Sequence, residues 1–342
     1  MHVRVLYHDN CFDGAASAAL FTEFYRLCLD ASAEFSYVGM THGPGDVLTP
    51  AFTTPAAVRS PTQSSPGHRE LEHACVDFRY SPDPRLDWWF DHHQSAFVTP
   101  DDAAYFARQH NPRHFYDPAA QSCCKFLAQR CAEVYGFDTT PYGELIAWAD
   151  LIDGAKFISP AQAVECKEPA LRLMMWVESN RDPELKLRFI RDLRRYSLTE
   201  IAEKEYVRTG IAPLLRQSEM VLSLLRERAQ YTSGVVTYDV ADQKLTSVSK
   251  FAPYYLHPDA HYVVGVSLLP GRAKISVGSN PWQSGRRTAN IATICGRYGG
   301  GGHPAVGAVS LASEELPRLR EIAAEIAAEL RAAAATEKSQ SK

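Results

Sequence analysis

Short apolar runs that each end in acidic or histidine side chains constrain the fold of the first half of this chain. Residues 2–7 lead into the polar residues 8–13, the run HACV leads into Asp77, and LDWWF leads into Asp91-His92-His93. Such runs are typical of strands that are buried on both faces of a parallel sheet. Because the carboxyl ends of parallel strands meet in one crevice, we expect these separated polar groups to lie together.

Amphipathic segments between the runs predict helices. One follows Gly14 directly after the first strand, as in the opening of a βαβ unit. Another is predicted to begin at Pro118 with Asp117 as its cap, and a third carries Asp150 and Asp153 on one face. The sequence therefore predicts an α/β first half with a mostly parallel sheet.

The hydrophobic period changes along the rest of the chain. A chain of 342 residues exceeds the usual domain of about 100 to 200 residues, so two domains are expected. We predict a parallel-sheet domain over residues 1–160, a helical connector over residues 161–232 and a smaller α+β domain over residues 233–335.

Charge and cysteine content exclude some classes of protein. A formal net charge of -4 argues against a protein that coats long nucleic acid, but it allows a small anionic substrate in one basic pocket. The absence of a long apolar run and of a signal-peptide pattern predicts a cytoplasmic protein without contact to a membrane. Eight cysteines without a C-x-x-C pair indicate reduced thiols.

The polar groups after the strands predict a metal centre. Carboxylates mixed with imidazoles suit Mn²⁺ or Mg²⁺ better than structural zinc, which prefers thiolates. Two ions about 3.5 to 4 Å apart assist phosphoester hydrolysis, and a bridging carboxylate is needed between them. The alternative is that Asp77 caps a helix and that Asp150 and Asp153 are solvated, but the polar residues 91–93 after an apolar strand need a partner.

A run of four glycines, residues 299–302, precedes His303 in the second half. Without side chains the backbone N–H groups of such a run can surround an anion, so the segment predicts a phosphate-binding nest. A flexible linker is the alternative. The strand-like sequence AVGAVSL that follows favours a binding loop.

Together these motifs resemble the DHH phosphoesterase family, which includes RecJ-like exonucleases, nano-RNases and cyclic-di-AMP phosphodiesterases. The resemblance covers nearly the whole chain and rests on Asp13-Gly14, Asp77, Asp91-His92-His93, the segment ADLID and the GGGH of residues 300–303. It implies a DHH domain followed by a DHH-associated substrate-binding domain.

The resemblance also implies the roles of individual residues. The metal ligands for two Mn²⁺ or Mg²⁺ ions would be His8, Cys11, Asp13, Asp77, His92 and either Asp150 or Asp153. Asp77 would bridge the ions, Asp91 would orient its neighbours, and His93 would face the scissile phosphate as a charge stabiliser or proton donor. The nucleophile would be a metal-bound water. Which of the two helical aspartates is the ligand stays open.

Two departures from the family pattern affect the predicted site. Cys11 stands where most members have an aspartate, and a softer thiolate would change metal preference or occupancy. Gly278 stands where many members have an arginine, and Arg272, Lys274, Arg286 or Arg287 could supply the missing positive charge. The predicted substrate-binding residues are Gly300, Gly301, Gly302, His303 and Arg272.

The leading functional hypothesis is a two-metal hydrolase of short oligonucleotides, with the two domains holding the substrate; a homodimer stays open. Alternatives in the same class are hydrolysis of cyclic dinucleotides, phosphoadenosine phosphate, pyrophosphate or polyphosphate. An alternative from another class is a nucleotide-binding regulatory protein that has lost one metal because of Cys11.

Overall fold

The computed structural model describes residues 1–41, 51–52, 71–243, 245, 248–286 and 288–340. The chain forms two compact units: unit 1 contains Met1–Lys156 and Lys167–Ala212, and unit 2 contains Phe157–Cys166 and Pro213–Lys342. A surface loop predicted for residues 53–67 lies outside the described residues. Each unit has its own sheet.

Unit 1 is built on a five-stranded sheet in which every neighbouring pair is parallel. Its strand order is β2-β1-β3-β4-β5. The strands are β1 (His2–His8), β2 (Glu34–Met40), β3 (Leu71–Val76), β4 (Leu86–Asp91) and β5 (His114–Tyr116). Strands β1, β3 and β4 are direct neighbours, so their carboxyl ends lie side by side.

The helices of unit 1 follow the chain between and after these strands. They are α1 (Phe12–Cys28), α2 (Pro100–Gln109), α3 (Cys123–Tyr135), α4 (Gly143–Asp153), α6 (Pro169–Ser179), α7 (Pro183–Leu193) and α8 (Leu198–Ala202). Helix α5 (Pro160–Glu165) belongs to unit 2. Helix α9 (Glu205–Arg228) begins in unit 1 and ends in unit 2.

Two adjacent tryptophans fix strand β4 between the layers of unit 1. Trp88 packs edge-on against Phe21 and Phe24 of α1, while Trp89 lies in the cluster that contains Phe78 and Phe106. Successive side chains of a strand point to opposite faces, so the two indoles anchor both layers. Both are at most 1% exposed, as expected for core residues.

Helix α3 begins later than the sequence predicts. Its cap is Ser122, whose hydroxyl accepts the backbone N–H of Lys125 at 3.3 Å, so the predicted start at Asp117-Pro118 is wrong. Asp117 instead accepts the N–H of Ala119 at 2.9 Å within a separate turn. The later start leaves the first amides of α3 available to another residue of unit 1.

Unit 2 contains a mixed six-stranded sheet in the order β10-β11-β9-β8-β7-β6. Only β7 and β8 pair in parallel. The strands are β6 (Gln230–Thr232), β7 (Val235–Asp239), β8 (Tyr262–Leu269), β9 (Arg272–Ser279), β10 (Gly301–His303) and β11 (Val306–Ala312); α10 (Ala252–Leu256), α11 (Ile291–Gly296) and α12 (Leu316–Gln340) accompany them.

The glycine run of unit 2 leads into a hairpin, and its predicted role in binding a phosphate stays a prediction. The N–H groups of Gly299 and Gly300 donate to carbonyl oxygens at the end of α11, and Gly301–His303 pairs with β11 as a strand. Gly300 is packed so closely that an added Cβ would lie 2.2 Å from the carbonyl oxygen of Ala308. The amides of Gly299 and Gly300 are therefore occupied by the fold, and anion binding by Gly301–His303 stays a prediction.

The predicted fold class is confirmed: an α/β unit with a parallel sheet is joined through helices to a smaller α+β unit. The compact units place residues 167–212 with the parallel sheet and residues 157–166 with the second sheet. The predicted division into residues 1–160, 161–232 and 233–335 stays a prediction. In the described part of the chain, no helix is long and apolar enough to cross a bilayer.

Candidate metal centre

The polar residues predicted to converge do so at the carboxyl edge of the unit 1 sheet. His8 is the last residue of β1, Asp77 follows β3 directly, and Asp91 ends β4. Asp77 has a φ of 58°, in the left-handed region, while its N–H donates to the carbonyl oxygen of Phe90 at 2.9 Å. A non-glycine residue held in this conformation is uncommon and marks a constrained position.

Asp77 lies at the centre of the site. Its Oδ2 is 3.4 Å from Nδ1 of His8, and its Oδ1 is 3.5 Å from Nε2 of His92. The residue is fully buried, and among the described residues neither oxygen has a hydrogen-bond partner of acceptable geometry. A buried carboxylate without a partner is costly, so this position calls for a cation.

Within the described residues, three overlapping groups of side chains could hold metal ions. In each group the potential ligand atoms lie within 4.8 Å of one another. The groups are His8, Cys11 and Asp77; Asp77, His92 and His93; and Asp13, His92 and Asp153. Asp77 belongs to two of them, as a carboxylate shared by two ions would.

Asp13 is held by the first amides of α3. Its Oδ2 accepts the N–H of Cys123 at 2.6 Å, and its Oδ1 accepts the N–H of Cys124 at 3.0 Å. The N-terminus of a helix attracts negative charge, which explains how this fully buried carboxylate is tolerated. Oδ2 also lies 4.0 Å from Nε2 of His92, so Asp13 remains beside the cluster.

The residue after Asp13 must be small. A Cβ on Gly14 would lie 2.2 Å from the carbonyl oxygen of His8, because the first turn of α1 packs against the end of β1. This close approach gives a physical reason for the Asp-Gly pair of the first motif.

The two histidines of the motif at residues 91–93 are oriented by different acceptors. Nδ1 of His92 lies 3.1 Å from the carbonyl oxygen of Ala120, which leaves Nε2 directed at the carboxylates. Nδ1 of His93 lies 2.7 Å from Oδ1 of Asp91, and that oxygen also accepts the N–H of His92 at 2.8 Å. Histidines that bind metal or transfer protons commonly form a hydrogen bond from one ring nitrogen to a carbonyl or carboxylate oxygen. This hydrogen bond orients the ring and its other nitrogen.

The two aspartates of α4 have different neighbours. Oδ2 of Asp153 lies 3.4 Å from Nε2 of His92, within the third group. Oδ2 of Asp150 is 2.9 Å from Nζ of Lys125 and 3.9 Å from Nζ of Lys156, and Asp150 belongs to none of the three groups. Asp153 is therefore the better candidate for the fourth-motif ligand.

Cys11 precedes the first turn of α1 and forms no cap hydrogen bond there. Burial, followed by the negative charges of Asp77 and Asp13, raises the pKa of its thiol well above the ordinary value. In the absence of metal the thiol is thus protonated and is a poor nucleophile. Its position beside His8 and Asp77 fits a ligand, because a bound metal deprotonates a coordinating thiol.

The carboxylates of the cluster carry more negative charge than its histidines can neutralise. Burial, together with Asp77, raises the pKa of Asp13 well above its ordinary value and that of Asp153 to about 6. Burial opposes the charge of Asp77 as well, but contacts with His8 and His92 lower the pKa of Asp77 to about 2. For His92, burial alone would lower the pKa, but Asp77 and then Asp13 raise it to about 9.

These observations fit a divalent metal. Both oxygens of Asp77 and Nε2 of His92 are buried without a hydrogen-bond partner among the described residues, and Oδ1 of Asp77 lies 3.5 Å from Nε2 of His92. The donor set is mainly carboxylate and imidazole, which Mn²⁺ and Mg²⁺ accept. His8, Cys11, Asp13, Asp77, His92 and Asp153 are the residues that would hold the ions.

A buried lysine supports the first motif and was not found from the sequence. Nζ of Lys186, on α7, lies 2.8 Å from both carboxylate oxygens of Asp9 and 2.9 Å from Oδ1 of Asn10. Lys186 is 5% exposed, and Asn10 has a φ of 56°. These contacts fix the turn between His8 and Cys11. No sequence signal links two positions that lie 177 residues apart.

The predicted substrate-binding residues belong to unit 2. Gly301, Gly302 and His303 are exposed in β10, Gly300 precedes them, and Arg272 is exposed at the start of β9. Lys274 lies two residues further along β9. The side chains of Arg286 and Arg287 lie outside the described part of the chain. Binding by these residues stays a prediction.

Replacing Lys186 by methionine tests the support of the first motif. We expect Lys186→Met to weaken Mn²⁺ binding by about tenfold, because the turn that carries His8 and Cys11 loses its anchor. Titration of the metal-free chain with Mn²⁺, followed by electron paramagnetic resonance, measures the affinity. Arg191→Ala, on the exposed side of the same helix, is the control and should bind as wild type does. Equal affinity in the two variants would contradict the role of Lys186.

Metal affinity should rise with pH. Protons compete with metal for Asp153 and His92, whose pKa values are about 6 and about 9 in the metal-free site. Raising the pH removes that competition, so we expect tighter Mn²⁺ binding at pH 8.5 than at pH 6. Calorimetry in buffers of different ionisation enthalpy measures the release of protons on binding. An affinity that is constant over this range would show that the cluster does not ligate the ion.

No family model and no curated protein sequence matches the chain. Among solved structures, the chain is similar to the pGpG-specific phosphodiesterase PggH from Vibrio cholerae, with 18% sequence identity and a TM-score of 0.66. That match covers 96% of this chain and 99% of the other.

A second similar structure is RecJ from Thermus thermophilus in complex with Mn²⁺, with 14% identity and a TM-score of 0.47. It covers 96% of this chain and 52% of the other. The likeness to PggH over almost the full length of both chains concerns the fold. At this identity the likeness shows that the chain shares the fold of PggH, and the Asp-His-His motif stands at the end of β4.

Proposed function

We propose that the chain is a metal-dependent phosphodiesterase that hydrolyses short oligonucleotides. The observation that carries the proposal is Asp77, a fully buried carboxylate shared by two potential ligand groups and without a hydrogen-bond partner among the described residues. Two Mn²⁺ or Mg²⁺ ions bound there would lower the pKa of a water molecule and offset negative charge on the reacting phosphate.

The residues around the ligands fit hydrolysis of a phosphodiester. The hydrogen bond to Asp91 raises the pKa of His93, which favours the protonated form of this imidazole. Asp91 fixes the ring at Nδ1, at 2.7 Å, and thereby orients it. His93 is therefore suited to stabilise a phosphate or to donate a proton to the leaving oxygen.

A short substrate is favoured over a long nucleic acid. The net charge of -4 does not provide the basic surface that long strands need. The similar structure named PggH is described as specific for pGpG, a linear dinucleotide. Cyclic dinucleotides, phosphoadenosine phosphate, pyrophosphate and polyphosphate are the other members of a substrate panel. The cytoplasmic location and the homodimer stay predictions.

A Mn²⁺-supplemented assay on labelled RNA of two to about ten nucleotides tests the function. We expect Asp77→Asn and Asp153→Asn to lower kcat by about 100-fold or more, because each removes a ligand of the metal. Asp150→Asn changes the same helix, but Asp150 contacts Lys125 and not the potential ligands, so kcat should fall much less in this variant. Pyrophosphate and cyclic dinucleotides in the same assay measure the competing activities.

Two outcomes would contradict the proposal. If wild type and Asp77→Asn had equal turnover, the reaction would not take place at the candidate metal centre. A chain that binds less than one ion after Mn²⁺ loading and hydrolyses no member of the panel would instead be a regulatory binding protein.

Substitution of Cys11 tests whether the thiol is a ligand. We expect Cys11→Ala to reduce the bound Mn²⁺ from two ions to one per chain, because the group with His8 and Asp77 loses a member. Cys11→Asp offers a harder ligand and should retain or raise activity with Mn²⁺. Metal analysis after gel filtration gives the stoichiometry. Two ions in Cys11→Ala would show that the thiol only packs beside the site.

A further inference from the structure

The two ligand groups on either side of Asp77 offer different donor atoms. The group with Cys11 offers a sulfur, an imidazole nitrogen and a carboxylate oxygen, whereas the group with Asp153 offers carboxylate oxygens and one imidazole nitrogen. We call them the sulfur site (His8, Cys11 and Asp77) and the carboxylate site (Asp13, His92 and Asp153). Sulfur is a softer donor than oxygen, and divalent ions differ in their preference between the two. The two sites are therefore not equivalent.

Asp77 presents one oxygen to each site. Its Oδ2 lies 3.4 Å from Nδ1 of His8 in the sulfur site, and its Oδ1 lies 3.5 Å from Nε2 of His92 in the carboxylate site. Both oxygens are buried without a hydrogen-bond partner among the described residues. A carboxylate in this position can bind an ion on each side, so it does not favour one site over the other. The remaining ligands decide which ion each site prefers.

The sulfur is held in place by the backbone around it. The carbonyl oxygen of Cys11 accepts the N–H of Ala15 at 3.2 Å in the first turn of α1. The turn before Cys11 is fixed by Lys186, whose Nζ lies 2.8 Å from Oδ1 of Asp9 and 2.9 Å from Oδ1 of Asn10. The potential ligand atoms of the sulfur site lie within 4.8 Å of one another, as atoms around one ion would. In the described part of the chain, no other cysteine belongs to a ligand group.

The donor set of the sulfur site is typical of a zinc site. Zn²⁺ binds thiolate, imidazole and carboxylate, and catalytic zinc sites keep an open position beside three protein ligands. The carboxylate site suits Mn²⁺ or Mg²⁺ instead, because these ions prefer oxygen donors. Most sites bind Zn²⁺ more tightly than Mn²⁺, so the expected difference lies in the ratio of the two affinities, which a thiolate ligand raises.

We propose that the centre holds two different ions, with Zn²⁺ in the sulfur site and Mn²⁺ in the carboxylate site, and that Cys11 is the residue that causes this difference. The inference rests on the proposed function and specifies its metal centre. Cys11 then determines which metal the chain takes up. When Mn²⁺ is the only ion offered, it should fill the sulfur site more weakly than the carboxylate site.

Zn²⁺ and Mn²⁺ added together to the metal-free full-length chain test this assignment. With one equivalent of Zn²⁺ and an excess of Mn²⁺, we expect one ion of each kind per chain in metal analysis after gel filtration. X-ray absorption at the zinc edge should show one sulfur neighbour per zinc, at about 2.3 Å. The manganese edge should show only nitrogen and oxygen neighbours.

Cobalt gives an optical measurement of the order in which the sites fill. Co²⁺ bound to a thiolate has a charge-transfer band in the near ultraviolet. The first equivalent of Co²⁺ should produce this band in the metal-free chain, because the sulfur site fills first. The second equivalent should not increase it.

Replacing Cys11 by aspartate exchanges sulfur for oxygen and should make the two sites alike. In Cys11→Asp we expect the ratio of Zn²⁺ affinity to Mn²⁺ affinity at this site to fall by at least about tenfold. Cys11→Ser, which keeps the size of the side chain, is a second variant and should lower the ratio in the same direction. Cys28→Ser, at the other end of α1, is the control, because Cys28 belongs to no ligand group among the described residues. It should bind both ions as wild type does.

Metal binding and turnover together separate this inference from the proposed function. A zinc edge without a sulfur neighbour, or an affinity ratio that is equal in wild type and both Cys11 variants, overturns the mixed centre. Cleavage of labelled RNA by the Mn²⁺-loaded chain would still support the proposed function in that case. A zinc–sulfur contact in a chain that cleaves no member of the substrate panel would support the mixed centre and contradict the phosphodiesterase.

Discussion

The concentration of negative charge inside unit 1 is the constraint on which its functional edge depends. Asp13, Asp77 and Asp91 are all fully buried. Each is stabilised differently. Asp13 accepts from the amides of α3, and Asp91 accepts from the amides and the imidazole that follow it. Asp77 lies beside three imidazoles at 3.4, 3.5 and 3.9 Å. Asp77 lies in the middle of the cluster, where a bound cation could contact the carboxylate and the imidazoles together.

Much of the fold follows from local patterns in the sequence. The apolar runs that end at His8, Asp77 and Asp91 predict buried parallel strands, and neighbouring strand ends bring their polar groups together. The two domains and the change to an α+β pattern follow from hydrophobic period. Assignment of Asp77 and His92 to one cluster needed only the rule that parallel strands end at one edge.

The remaining features depend on contacts that no local pattern encodes. Asp150 and Asp153 share one face of α4, and only the packed structure shows that Lys125 pairs with the first of them. The sequence also does not show that the amides of Gly299 and Gly300 donate to carbonyls at the end of α11, because those carbonyls lie in another element. Helix α3 has Ser122 as its cap, although Asp117 is an equally good cap residue in the sequence. The start at Ser122 is favoured because the buried Asp13 accepts the first two amides of the helix.

The two indoles of β4 have a consequence for how the candidate site could change during evolution. Trp88 and Trp89 fill cores on opposite sides of the sheet, and their Nε1 groups donate to Glu72 and to the carbonyl oxygen of Phe78. A slip of one residue in this strand would exchange the two side chains between layers and turn the residues after it to the other face. An insertion or deletion in β4 would therefore displace the Asp-His-His motif, whereas a substitution at a fixed position, as at Cys11 between β1 and α1, leaves the strand register unchanged.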